Sequence, residues 1–218
     1  MQPLEQYQLI LFDMDGTLYF QRPLQIHMAL KMLLAALKPG GLRELQIVLK
    51  FRKLREHWQE NLPDLDRAQY EALSEQTAVP AADIEAIIQK WIYQAPLEIM
   101  MRYRDHKLAE IIKKYHLQNK QVAIYSDYPA IDKRNSLELP PIPCFHGGQA
   151  EIGCMKPHPV GLQCIMAHYG IKDPSSVLMV GDRQSKDVLA ALAAGTDCII
   201  LKKHKFQRTK QYNALLSE

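Results

Sequence analysis

The stretch "YQLILFDMDGTLYF", residues 7–20, runs a mostly apolar segment straight into two aspartates, Asp13 and Asp15, with only Met14 between them. Its first six residues read as a short buried strand. A strand that ends on paired carboxylates is either an ordinary strand closed by a polar turn or one wall of a site. The polar motifs further along decide between these.

Three more runs are apolar in the same way and end on polar residues. They are "QVAIYSD" (121–127), "SVLMVGD" (176–182) and "DCIIL" (197–201). Helical patterns lie between them at 104–116, 157–169 and 185–194, the last ending on Gly195 as a C-cap. Continuous apolar strands alternating with helices predict an α/β fold, a Rossmann-like doubly wound parallel sheet covered on both faces. In such sheets the functional crevice lies at the carboxyl ends of the strands. Three of the four runs finish there on an aspartate or a Ser-Asp pair.

Residues 21–95 show helix only. "LQIHMALKMLLAALKPGG" reads as a helix stopped by Pro39-Gly40-Gly41. The next, 42 to about 60, carries Ile47, Phe51, Leu54 and Trp58 on one stripe. A third spans roughly 66–76, and a fourth follows Pro80 with Ile84, Ile87, Ile88 and Trp91 as its apolar face. The expected organisation is an α/β catalytic core, 1–20 and 96–218, interrupted by a helical cap, 21–95.

Composition removes several classes. The 218 residues are 47% hydrophobic and 23% charged, and the formal charge of +3 is too small to argue for nucleic acid. Cys144, Cys154, Cys164 and Cys198 form no CxxC pair, so they read as reduced thiols of a cytoplasmic protein. The N-terminal apolar run lacks a basic lead and stops at Asp13, which argues against a signal peptide. No apolar stretch reaches the length of a membrane span, and nothing fixes an oligomeric state.

In extended chain, residues i and i+2 project to one side, so Asp13 and Asp15 are expected to face one crevice, with Gly16 permitting the turn after them. "GDRQSKD" supplies Asp182 and Asp187 from another strand end. Four carboxylates converging on one crevice call for a hard cation with oxygen ligands, Mg²⁺ foremost. Lys156 in "MKPHP" adds a fixed positive charge, and Ser126 offers a hydroxyl beside backbone amides. Together these make a cradle for a phosphoryl group. No Walker A sequence occurs, which disfavours a P-loop enzyme.

"DMDGTL", Ser126 after an apolar strand, "KPHP" and "VGDRQSKD" resemble, in order, the four motifs of the haloacid dehalogenase superfamily, and the helical insert resembles the family's C1 cap. The resemblance implies that Asp13 is the nucleophile that forms an aspartyl-phosphate, and that Asp15 is the general acid and then base. It implies Mg²⁺ held by Asp13, the Asp15 carbonyl and Asp182, with Asp187 a ligand or an orienting neighbour. Ser126, Asp127, Lys156 and Met14 would bind the phosphoryl group. Members that dehalogenate carbon substrates lack the second aspartate, so its presence favours phosphoryl transfer to water from a small phosphorylated metabolite.

Each residue taken singly has a plainer reading: Asp13 and Asp15 as turn residues, Asp182 and Asp187 as helix caps, Ser126 as an N-cap, Lys156 as a surface charge. Their joint order favours the catalytic reading. His158 reads as an exposed loop residue, and Tyr19 and Phe20 either line the entrance or pack under the cap. The basic run "LKFRKLREHW" (49–58) reads as a solvated helix face, with a reach toward an anionic substrate as the alternative. The tail "KKHKFQRTKQ" (202–211) reads as an exposed, partly frayed terminus. Rival functions are a sugar phosphomutase, a phosphonate hydrolase using Lys50 or Lys53, and a non-catalytic module that binds a phosphorylated ligand.

Overall fold

The computed structural model describes residues 4–58 and 62–216, with the side chains of Glu5 and 213–216 left aside. Positions 59 and 60 of the expected second helix lie outside the described residues. Five parallel strands form one sheet in the order β3-β2-β1-β4-β5: β1 Leu9–Phe12, β2 Gln121–Ser126, β3 Cys144–His146, β4 Val177–Gly181 and β5 Asp197–Ile200. The sequence predicts four of these. The fifth, β3, is a three-residue edge strand that follows Pro140, Pro141 and Pro143. An edge position tolerates prolines because one side needs no ladder donors; there the Pro143 carbonyl accepts from Ile124 N (2.9 Å).

Alternation along β1 explains why its run is apolar throughout. Ile10 and Phe12 join one hydrophobic cluster, while Leu9 and Leu11 join the other. Both faces are therefore covered, and each fully buried aliphatic side chain contributes roughly 1.5–3 kcal/mol. On one face lie α8 (Val160–His168) and α9 (Leu189–Ala194), with Ile165 and Ala190 in their cluster. On the other lie α6 (His106–Leu117) and α10 (Lys205–Leu216), represented by Ile112 and Tyr212. A short helix, α7 (Ile131–Ser136), follows β2.

Between β1 and β2 the chain forms α1 (Gln21–Ala36), α2 (Gly41–Glu56), α3 (Leu65–Thr77), α4 (Ala81–Ile88) with a π turn to Gln94, and α5 (Leu97–Met100). Phe51, Leu73, Ile84 and Ile88 are buried together. The outgoing and returning segments meet as a crossed pair: Phe20 N donates to Tyr103 O (2.8 Å) and Asp105 N to Leu18 O (3.0 Å). Helix α1 also leaves Ile26, Leu30, Leu33 and Leu34 exposed, as is Leu37 just after it.

Two stretches depart from what the sequence predicts. The basic run of α2 is not uniformly solvated: Lys50, Arg52, Lys53 and His57 are exposed, but Arg55 is buried. Its guanidinium donates to Asp66 Oδ1 (2.5 Å), Gln69 Oε1 (2.7 Å) and the Asp127 carbonyl (2.7 Å). Nor is the basic tail frayed. It forms α10, and Arg208 is fully buried, donating to the Gly16 and Thr17 carbonyls and to Asp105 Oδ2 (3.0 Å).

Candidate active site

The carboxyl ends of β1, β2 and β4 place the predicted residues side by side. Asp13 directly follows β1, Ser126 ends β2, and Asp182 directly follows β4. Asp187 lies in the π turn Gln184–Val188 that leads into α9. One oxygen each from Asp13, Asp182 and Asp187 falls within 4.8 Å of the others. Lys156 joins them from the loop before α8, its Nζ donating to Asp13 Oδ1 (2.6 Å) and Asp187 Oδ1 (2.7 Å). Thr17 Oγ1 donates to Asp13 Oδ2 (3.0 Å), an anchor that sequence reasoning missed.

The expected convergence of four carboxylates is a convergence of three. The extended geometry that would align Asp13 with Asp15 ends at Phe12. Beyond it the chain coils, with Thr17 N and Leu18 N donating to the Met14 carbonyl and Gly16 at φ +93°. The Asp15 carboxylate therefore turns to other partners: Lys133 Nζ on both oxygens (2.6 and 2.8 Å) and the Tyr19 hydroxyl on Oδ1 (2.5 Å). Lys133, on α7, had no sequence signal, because its partner is 118 positions away.

Charge explains how each carboxylate is disposed. Burial pushes Asp13 up to about 8, with the Lys156 charge opposing and the Asp187 charge assisting the rise. Burial, then the Asp187 charge, also raises Asp182. Burial would raise Asp15 as well, but the Lys133 ammonium and its hydrogen bonds more than offset this and hold it below the usual range. When all three clustered carboxylates are ionised, the one lysine facing them leaves two negative charges for a divalent cation to balance. The donor set fits such an ion. Among the described residues Asp182 Oδ1 is buried without a hydrogen-bond partner, and a Cβ on Gly16 would sit 2.5 Å from Asp182 Oδ2. Hard carboxylate oxygens suit Mg²⁺.

The remaining predicted residues sit around this cluster. Ser126 is buried, its Oγ accepting from Tyr128 N (3.2 Å), and its own proton is uncommitted among the described residues. Asp127 turns its carboxylate to Lys156 N (2.9 Å), bracing the lysine loop and leaving only its backbone amide as a phosphate donor. The Met14 side chain is buried in the core, so only its backbone could serve a phosphate. His158 is exposed. Tyr19 and Phe20 both line a cleft of about 630 Å³ that also reaches Asp15, Asp182 and Arg52, whereas Lys50 and Lys53 do not line it.

A doubly wound parallel sheet that gathers aspartates and a lysine at its strand ends is a Rossmann-like α/β architecture with its candidate site in the crevice there. A family model for haloacid dehalogenase-like hydrolases matches residues 7–195, and the chain belongs to that family. A sequence search among curated proteins returns no match. Solved structures share the fold. A 2-haloacid dehalogenase from Pseudomonas syringae pv. Tomato DC3000 is similar at 17% identity and TM-score 0.60, over 89% of this chain and 86% of that one. A protein from Bacillus subtilis described as a HAD-hydrolase and bound to magnesium is similar at 15% identity and TM-score 0.59, over 96% and 99%. A predicted phosphoglycolate phosphatase from Haemophilus somnus 129pt is similar at 20% identity and TM-score 0.55, over 92% and 87%.

Proposed function

We propose that this hydrolase is an Mg²⁺-dependent phosphatase acting on a small phosphomonoester. The observation that carries the reading is the division of labour between two aspartates two residues apart. Asp13 stands among the acidic cluster and Lys156, while Asp15 stands off it, held by Lys133 and Tyr19. A nucleophile and a separate proton-transfer group are what a two-step hydrolysis needs.

Asp13 would attack phosphorus as the ester P–O bond breaks, giving an aspartyl-phosphate, while protonated Asp15 passes its proton to the leaving oxygen. A phosphate dianion entering beside Asp15 raises its proton affinity and so counters Lys133. Ionised Asp15 then takes a proton from water as that water attacks phosphorus, breaking the bond to Asp13 and releasing inorganic phosphate. Lys156, the Ser126 hydroxyl and the backbone amides of Met14 and Asp127 would hold the phosphoryl oxygens. Mg²⁺ on Asp13, Asp182 and Asp187, with the Asp15 carbonyl, would supply the positive charge that neutralises the phosphoryl group. Helices α1 to α4, within residues 21–95, would act as a cap that excludes water and reopens for release. The four free cysteines support a cytoplasmic setting.

The test is phosphate release from a panel of phosphorylated metabolites and p-nitrophenyl phosphate, with Mg²⁺ or with EDTA. Release should require the metal and fall at least about 10³-fold in Asp13→Asn. Release that survives in Asp13→Asn would remove the covalent mechanism.

A further inference from the structure

We propose that Arg52 reads a second anionic group, a carboxylate or a phosphate, on the part of the substrate that leaves. The direction of this assignment rests on the phosphatase reading of Asp13; the anion subsite itself rests on the geometry of α2.

Positions 52, 55 and 56 lie at i, i+3 and i+4 and so share one face of that helix. Two of them are tied to the loops that carry the catalytic groups. Arg55 donates to the carbonyl of Asp127, directly after β2, and Glu56 pairs with Arg183, just after β4. The face is therefore turned toward the strand ends. Arg52 lies one turn back on it and lines the cleft. It is exposed, and among the described residues its guanidinium has neither an ion pair nor a hydrogen bond. Its charge is felt by Tyr19 and Tyr128, opposing the rise that burial imposes on both phenols. Tyr19 holds Asp15, and the Lys133 ammonium lies 5.2 Å from the Tyr128 ring centre. Arg52 thus shares the cleft with the proton-transfer group, its charge reaching the two phenols that stand beside Asp15 and Lys133.

The other charges of the cleft already have assignments. Asp15 faces Lys133, Glu56 faces Arg183, and Asp182 belongs to the acidic cluster. What remains is positive: Arg52, with Arg22, Lys203 and Lys205. Leu24, Met28, Ile92 and Met100 form an apolar wall of the same cleft, which keeps charge–charge attraction from being fully screened. A guanidinium offers the paired, planar donors that carboxylate and phosphate oxygens accept. A solvated surface arginine would show none of the discrimination this predicts.

Calorimetric titration of the Mg²⁺-loaded protein with three non-hydrolysable phosphonates tests it: phosphonoacetate, 1,2-ethylenediphosphonate, and ethylphosphonate, which lacks the second anion. Wild type should bind at least one of the first two about 10- to 100-fold more tightly than ethylphosphonate. The favoured one tells carboxylate from phosphate. Arg52→Ala should shrink that ratio to less than about 3-fold, with Arg52→Lys in between, because a lysine keeps the charge but not the fork. Lys50→Ala, which removes an exposed charge of the same helix outside the cleft, should leave the ratio intact. A wild type that does not discriminate, or an Arg52→Ala protein that still does, overturns the assignment. Discrimination that depends on Arg52, in a protein that releases no phosphate from any ester, would keep the subsite and discard the phosphatase reading.

Discussion

Lys133 places its ammonium on both oxygens of Asp15, and the pair is largely shielded from water. Removing that cation leaves a buried carboxylate with only the Tyr19 hydroxyl. In Lys133→Met the proton affinity of Asp15 should rise, because burial is then opposed far less. Because protonated Asp15 is the acid of the first step, which kcat/KM reports, the alkaline limb of the kcat/KM profile should move to higher pH. Phosphate release measured from pH 4 to 9 checks this, and an unmoved limb would take Asp15 out of the rate profile. The same substitution has a pH-dependent effect on stability. A carboxylate held below its ordinary value contributes stability above its unfolded pKa, and this is lost as pH falls through the folded one. In Lys133→Met the carboxyl is raised instead, so by pH 4 it has taken up a proton and the unpaired buried charge is gone; the substitution should cost roughly 3 kcal/mol at pH 7 and much less at pH 4, read by urea unfolding at both.

At the scale of elements, α10 is fastened to the catalytic turn through one side chain. Arg208 donates to the carbonyls of Gly16 and Thr17, pairs with Asp105 and stacks its guanidinium over Phe20 at 4.9 Å. Asp105 in turn caps α6 through Leu108 N (3.2 Å) and accepts from the Tyr212 hydroxyl (2.6 Å). Arg208→Met would leave Asp105 buried and two carbonyls without their donor. Urea unfolding should show a loss of about 3–5 kcal/mol, while Arg208→Lys recovers part of it. A loss under about 1 kcal/mol would mean that α10 is not fastened through this residue. These elements also show what the sequence could reveal. Strands β1, β2 and β4 were legible because both of their faces are buried, so their runs are apolar almost without interruption, while the half-buried edge strand β5 was legible from its run of apolar residues alone. The aspartates at their ends were legible because nothing in a core requires them. Edge strand β3 was hidden by brevity and its prolines. Arg55, Lys133 and Arg208 stayed hidden because each looks like a surface cation until partners distant in sequence surround it. The turn of Asp15 away from Asp13 was equally out of reach: it depends on where the strand stops, and the residue spacing does not encode that.

The whole molecule registers the acidic cluster as a stability that depends on pH and metal together. Asp13 rises from an ordinary carboxylate value of 3.8 to about 8, and Asp182 moves the same way. Groups raised in this sense bind protons more tightly when folded than when unfolded. Without metal, stability is therefore lost as pH rises from about 4 to about 8. The effect of Lys133 on Asp15 has the opposite sign but belongs to the acid side of that window. Mg²⁺ needs ionised ligands, so it competes with those protons and binds the folded form more strongly at the alkaline end. At a concentration ten times its dissociation constant it should add about 1.4 kcal/mol, which is about 3–6 °C in Tm for a chain of this size. Thermal melts at pH 5.5 and pH 8, each with EDTA and with Mg²⁺, separate the two effects. The EDTA-treated protein should melt lower at pH 8 than at pH 5.5, and Mg²⁺ should raise the pH 8 value by more. An equal rise at both pH values would mean that the cation does not bind at Asp13, because a ligand that must lose its proton cannot take up metal equally well above and below the pH at which it does so.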